Sequence, residues 1–228
     1  MNRTHSPLRL GGALLAVLLA TGAVAMAAPA PMWQPVHASE LTVTSGSVFA
    51  TGGSGLGTTS AEMRAVQRDH GRHAGRARLT FQFLGNSPTT KALGSGLIRR
   101  QIGLKLRAAD PCNLLYVMWR TYPDRVIEIS RKRNPGMHTS QDCGNAGYSD
   151  LALIPEPAGV HRRHVLEADT RRTADGSLVL TVYTDGRLAR KLTLAPNLAV
   201  GLNGPIGVRS DNGSYRFKLS VARAPAAV

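Results

Sequence analysis

The sequence predicts an all-β chain built as a two-sheet antiparallel sandwich. Short stretches of strict apolar/polar alternation recur along its 228 residues, Gly-containing turns separate them, and almost no stretch keeps the 3.6-residue period of a helix. About ten such strands, with nothing helical to cover a single sheet, must pack as two sheets face to face. With 43% hydrophobic residues, a chain of this length buries one sizeable core, and a single domain is expected.

At the start, Arg3 and Arg9 flank an apolar run from Leu10 to Ala20, followed by small residues ending in Ala25-Met26-Ala27. This is the layout of an export signal peptide over residues 1–27. The apolar run is shorter than the ~20 residues of a spanning helix. No later stretch is long enough either, so no integral membrane segment is expected after cleavage, and the expected localisation is secreted or periplasmic. Residues 28–38, with Pro29, Pro31 and Pro35, read as an extended lead-in, 39–223 as the sandwich domain and 224–228 as a disordered tail. Leu41 to Phe49 reads as an edge strand lying beside the last strand. Gly52, Gly53, Gly55 and Gly57 read as a flexible loop, and Ala61 to Arg68 as a short helix with Ser60 as its cap and Glu62 in its first turn.

Clear alternation begins at Arg78, with Leu79, Phe81 and Phe83 on one face and Thr80 and Gln82 on the other. After a loop at Gly85 to Gly96, Arg100 to Arg107 places Ile102, Leu104 and Leu106 inward and Gln101, Lys105 and Arg107 outward. Asn113 to Tyr122 carries large residues on both faces, as a central strand covered on each side does. Pro123-Asp124 turns it into Val126 to Ser130. His164 to Asp169, Leu178 to Tyr183 and Leu188 to Leu194 form a meander through the Asp175-Gly176 and Asp185-Gly186 turns. Finally, Ile206 and Val208 precede Asp211-Asn212-Gly213, and Tyr215, Phe217, Leu219 and Val221 alternate with Arg216, Lys218 and Ser220, which reads as a terminal hairpin.

That last run, Gly204-Pro-Ile-Gly-Val-Arg-Ser-Asp-Asn-Gly-Ser-Tyr-Arg-Phe-Lys-Leu-Ser-Val221, resembles the end of concanavalin A-like jelly rolls. Lectin, glucanase and laminin-G-like modules share that fold, and the resemblance is strongest over 77–221. It implies a jelly-roll sandwich and a carbohydrate ligand, without selecting one family.

Cys112 and Cys143 are the two cysteines, and in an exported chain they are expected to form one disulfide that ties a loop of about 30 residues to the start of the central strand. Loss of Arg3 and Arg9 with the leader leaves 26 basic against 14 acidic residues, a net charge of +12. Such a balance favours an acidic partner. From Arg99 to Arg133 there are nine Lys or Arg against Asp110, Asp124 and Glu128.

Catalytic signals are sparse. Jelly-roll glucanases carry a strand with Glu-x-Asp-x-x-Glu, whereas Glu128 here is followed by Ser130 and Lys132 and reads as a salt-bridge partner. Jelly-roll lyases use Gln, His, Arg and Tyr in a basic groove; Gln101 is present, but Gly103 stands where one lyase family has His. Ser54 and Ser95 lack the nucleophile-elbow pattern. His70 and His73, like His161 and His164, have a metal-site spacing without a further ligand, and Asp211-Asn212 and Asp142 with Asn145 read as turn chemistry. No metal and no cofactor is expected.

The sequence therefore predicts a secreted, non-catalytic carbohydrate-binding module whose partner is an acidic polysaccharide or cell-envelope glycan; nucleic acid is not expected. The competing classes are a polysaccharide lyase acting on uronate-containing glycan and a structural envelope or interaction protein. Candidate ligand-binding residues are Gln101, Lys105, Arg107, Tyr116, Arg120 and Tyr122, because pairing their two strands puts cations beside aromatics.

Overall fold

The computed structural model describes Met1 and residues 31–68, 75–155 and 162–222. Outside the described residues lie the predicted leader beyond Met1, the tail at 224–228, and His70, His73 and His161.

The alternating stretches become strands. In chain order they are β1 (Trp33–Val36), β2 (Leu41–Ser45), β3 (Phe49–Gly52), β4 (Gly55–Thr58), β5 (Glu62–Gln67), β6 (Arg76–Asn86), β7 (Arg100–Asp110) and β8 (Asn113–Tyr122). There follow β9 (Val126–Lys132), the one-turn helix α1 (Ser140–Cys143), β10 (Tyr148–Pro155), β11 (Arg163–Arg172), β12 (Leu178–Thr184), β13 (Arg187–Leu194), the one-turn helix α2 (Pro196–Ala199), β14 (Gly207–Asp211) and β15 (Gly213–Ala222). Sheet A runs β13-β12-β11-β6-β15-β4-β3, with β1 also on β15; sheet B runs β10-β9-β8-β7-β14-β5-β2. Every strand pair is antiparallel.

The core fills the space between the sheets because the apolar parity of each strand points there. Leu79 and Phe81 of β6 and Tyr215, Phe217 and Leu219 of β15 meet Ile102, Leu104 and Leu106 of β7 and Leu115, Val117 and Trp119 of β8. The Phe81 and Trp119 rings meet edge to face at 5.3 Å across the layers, and each fully buried large apolar side chain contributes ~1.5–3 kcal/mol. β8 is the central strand that its composition predicts: Leu114, Tyr116 and Met118 are buried on its other face as well. The β11, β12 and β13 meander and the β8 to β9 hairpin also form as predicted. Cys112 and Cys143 are bonded, which ties α1 to the start of β8.

Four local expectations are corrected. The terminal hairpin is absent: β14 lies in sheet B between β5 and β7, and β15 lies in sheet A between β6 and β4. Two alternating strands joined by Asn212, in the left-handed region at φ 53°, serve a corner between sheets as well as a hairpin, because both apolar faces then reach the same core. Ala61 to Arg68 is strand, not helix. Its alternating Met63 and Ala65 are both fully buried, and a helix would not set both toward sheet A. Gly52 to Gly57 belongs to a β3/β4 hairpin; at Gly57 a Cβ would stand 2.5 Å from the Phe49 ring, so the pairing needs glycine there. The partner of the last strand on its N-terminal side is β1, from the stretch read as lead-in, while β2 pairs with β5 in sheet B. Trp33 there lies under Arg78, 4.1 Å from guanidinium carbon to ring centroid. Among the described residues no helix is long and apolar enough to cross a membrane.

Candidate functional site

Side chains on the parity opposite the core project from sheet B on its far side, and those of its middle strands β7, β8, β9 and β14 are largely buried there. Two loops cover them. Ser87 to Arg99 folds over from the β6 end, and Arg133 to Gly147, held by the disulfide, folds over from the β9 end. The loops meet where Gly94 lies against the Asn145 amide so closely that a Cβ would have no room. Between them and the sheet is a cavity of about 720 Å³, within the ~300–1,000 Å³ range of small-ligand pockets.

Its floor is polar and charged. Arg209 of β14 donates Nε to Asp211 Oδ2 at 2.9 Å, and Arg64 of β5 donates Nη2 to Asp211 Oδ1 at 2.7 Å. Gln101 Nε2 takes up Asp211 Oδ2 again at 2.7 Å. Asp211 is therefore 1% exposed yet held ionised: burial would raise its pKa, but Arg209 and Arg64 keep it below the usual carboxylate range. An aromatic stack stands beside this cluster. The Tyr116 and Tyr148 rings lie nearly parallel at 6.0 Å, with Arg209 over one end at 4.9 Å and Lys132 Nζ over the other at 5.2 Å. Tyr148 is 44% exposed, so part of its side chain is open at the edge of the stack.

Lys105 is the exception to this pairing. It is 4% exposed and lines the cavity, and among the described residues its ammonium makes no hydrogen bond or ion pair. Burial, then Arg64, Arg209 and Lys132, push its pKa from 10.5 down to about 7. Of the other cavity carboxylates, Glu128 pairs with Arg99 and Arg120, Glu62 pairs with Lys91 and Arg64, and Asp150 is exposed. Among the described residues Lys132 likewise has no carboxylate partner and donates to the Gly144 carbonyl at 2.6 Å.

Of the six predicted residues, Gln101, Lys105 and Tyr116 line the cavity. Arg120 is buried beside it and is neutralised by Glu128. Arg107 is elsewhere: at φ 52° it turns out of the strand where the β7/β8 register shifts, and it donates to the Thr170 side chain and carbonyl on β11. Tyr122 is also elsewhere, 47% exposed at the strand end against Arg100. The sequence reading missed Arg64, Arg209, Asp211, Lys132 and Tyr148. Arg209 and Asp211 were within reach, since they alternate with Val208 in a strand, while Arg64 was hidden by the helical reading of β5. Gly103 explains the absent His: a Cβ there would stand 2.1 Å from the Val117 carbonyl oxygen.

Solved structures with this backbone arrangement include the carbohydrate binding module CBM66 from Bacillus subtilis, at TM-score 0.57 and 15% identity over 81% of this chain and 96% of that one. The fold is a concanavalin A-like jelly roll. The carbohydrate recognition domain of Emp46p, in its metal-free form, matches at TM-score 0.51 and 13% identity over 80% of this chain and 87% of that one. At such identities the likeness is one of fold. Neither a family model nor a curated sequence matches the chain.

Proposed function

We propose that the protein binds an acidic polysaccharide or cell-envelope glycan in the cavity over sheet B. The observation that carries this is Lys105, a buried lysine lining the cavity among three other cations and, among the described residues, with no counter-ion of its own. An isolated buried ammonium destabilises a fold, and an incoming carboxylate relieves that cost. The exposed part of Tyr148, which lines the cavity, offers an aromatic edge for a sugar to contact, and Arg209 and Arg64 sit within the same floor. The jelly-roll fold, shared with a carbohydrate-binding module and a carbohydrate recognition domain, supports a sugar as the carrier of the anionic group. From the layout of residues 1–27 we further infer export, to the periplasm or beyond.

The test is retention on immobilised polyuronate against a neutral polysaccharide, read across salt. Retention on the polyuronate alone, lost on Tyr148→Ala, is expected. Equal retention on both polymers would refute an anionic ligand.

A further inference from the structure

We propose that this cavity also cleaves its polysaccharide, by β-elimination at a uronate, with Lys105 taking the proton from C5 and Tyr116 giving one to the leaving oxygen. This rests on the binding reading above and replaces the non-catalytic expectation from sequence.

Three features carry it. First, a lysine can act as a base only when neutral. Lys105, buried and flanked by Arg64, Arg209 and Lys132 and bonded to no carboxylate among the described residues, is held in a site that disfavours its proton near neutral pH. Second, Tyr116 is the residue directly opposite Lys105 in the β7/β8 ladder, and both side chains line the cavity. Cross-strand neighbours have Cβ atoms ~4.5–5.5 Å apart, so the two groups can reach adjacent atoms of one sugar ring. The Tyr116 ring is fixed between Arg209 and Tyr148, and burial keeps its proton in place well above the ordinary phenol range, which suits donation to an alkoxide-like leaving oxygen. Third, the guanidinium groups of Arg64 and Arg209 stay charged and, with Lys132, can stabilise a uronate carboxylate as negative charge builds on it.

The step balances without an oxidant or a second substrate. Lys105 Nζ forms a bond to the C5 proton, the C5–H pair becomes the C4=C5 double bond, the C4–O bond breaks, and the released oxygen takes the Tyr116 proton. Lys105 ammonium then returns a proton to the Tyr116 phenolate. One glycosidic bond is lost and one unsaturated uronate end is gained.

Geometry also selects the sugar. Lys105 and Tyr116 rise from the same face of one sheet, so both address the ring from one side, and the elimination is syn. Uronates whose C5–H and C4–O lie on the same side, such as glucuronate and mannuronate, fit. Galacturonate and guluronate, in which the two are opposed, do not.

The test incubates the mature protein with polyglucuronate, polymannuronate, polygalacturonate and polyguluronate and follows the ultraviolet absorbance of the unsaturated end. Absorbance should grow on one or both of the first pair only, and kcat/KM should rise with pH through about 7, the value for free Lys105. Tyr116→Phe, which keeps the ring stack, and Lys105→Arg, which keeps a cation that does not deprotonate, should each lose about 100-fold or more in turnover while polymer retention persists. Retention of wild type without any absorbance overturns elimination and leaves binding standing; no retention of wild type and no absorbance overturns both. Cleavage confined to polygalacturonate or polyguluronate, or full activity of Tyr116→Phe, overturns the Lys105–Tyr116 assignment.

Discussion

Replacing Lys105 by Met should make the protein more stable, and the gain should depend on pH. The lysine is depressed in the folded state, to about 7 from 10.5. Between those two values the unfolded chain holds a proton that the folded chain has lost, so wild-type stability rises with pH across that window. Below pH 7 both states are protonated and the full penalty of burying the charge is present; above 10.5 neither is, and the penalty is gone. The gap corresponds to a ceiling of about 5 kcal/mol at ~1.36 kcal/mol per pH unit. Arg64, Arg209 and Lys132 act on Lys105 directly, and the other charged or titratable groups lining the cavity are Glu62 from β5, Lys91 and Arg99 from the covering loop, Tyr116 from β8, Glu128 from β9, Tyr148 and Asp150 from β10 and Asp211 from β14. Among the described residues none of these acids pairs with Lys105: Glu62, Glu128 and Asp211 are held by other cations, and Asp150 is exposed. Met matches the stem of Lys in length and carries no charge. Urea unfolding of both proteins at pH 6 and pH 10 is the assay. Lys105→Met should be more stable by at least ~1.5 kcal/mol at pH 6, about a third of that ceiling, with the difference shrinking at pH 10. An equal or lower stability at pH 6, or a difference that ignores pH, would show that Lys105 is not an uncompensated buried charge.

Further outcomes follow from other contacts. Asn212→Ala removes the side-chain bonds to Lys91 N, Lys91 O and Arg99 O that pin both ends of the covering loop; at ~1 kcal/mol each it should cost about 3 kcal/mol, seen in urea unfolding, and expose 91–99 to limited proteolysis. Reducing the Cys112–Cys143 bond, whose partners are 31 residues apart, should cost about 3–4 kcal/mol on the chain-entropy account and weaken glycan retention by freeing α1 from the cavity edge, which a reduced and alkylated sample would show. Arg107→Ala should lower the melting temperature by loss of its Thr170 bonds yet leave polyuronate retention unchanged, in contrast to Tyr148→Ala. Gly103→Ala should fail to fold or lose several kcal/mol in urea, since its Cβ would strike the β8 backbone.

Much of this architecture is legible in the chain because alternation is a local signal. Leu79 and Phe81, or Leu115, Val117 and Trp119, declare their core face without knowledge of their partners. What alternation does not carry is which sheet a strand joins. The β14 to β15 segment satisfies the hairpin pattern and the sheet-corner pattern equally, and only pairing with β5 and β6 separates them. The site followed the same division. Gln101, Lys105 and Tyr116 were reachable from parity on two adjacent strands, whereas Tyr148 and Lys132 enter through the disulfide-held loop and its flanking strands, and Arg64 through a strand whose short length and Glu62 mimic a helix start. Arg107 misled because strand parity assumes an unbroken ladder, and the ladder breaks at that residue.

The central claim is that an anionic sugar meets Lys105. Calorimetric titration with a short oligoglucuronate at pH 8, in buffers of different ionisation enthalpy, tests it directly by counting protons. An anion beside Lys105 raises its pKa from about 7, so binding must draw a proton from the buffer, and by linkage affinity must fall as pH rises. Proton uptake with the Tyr116→Phe protein, which binds without cleaving, and none with a doubly changed Tyr116→Phe, Lys105→Met protein is the predicted result; binding with no proton uptake, or with the same uptake in both, would contradict it.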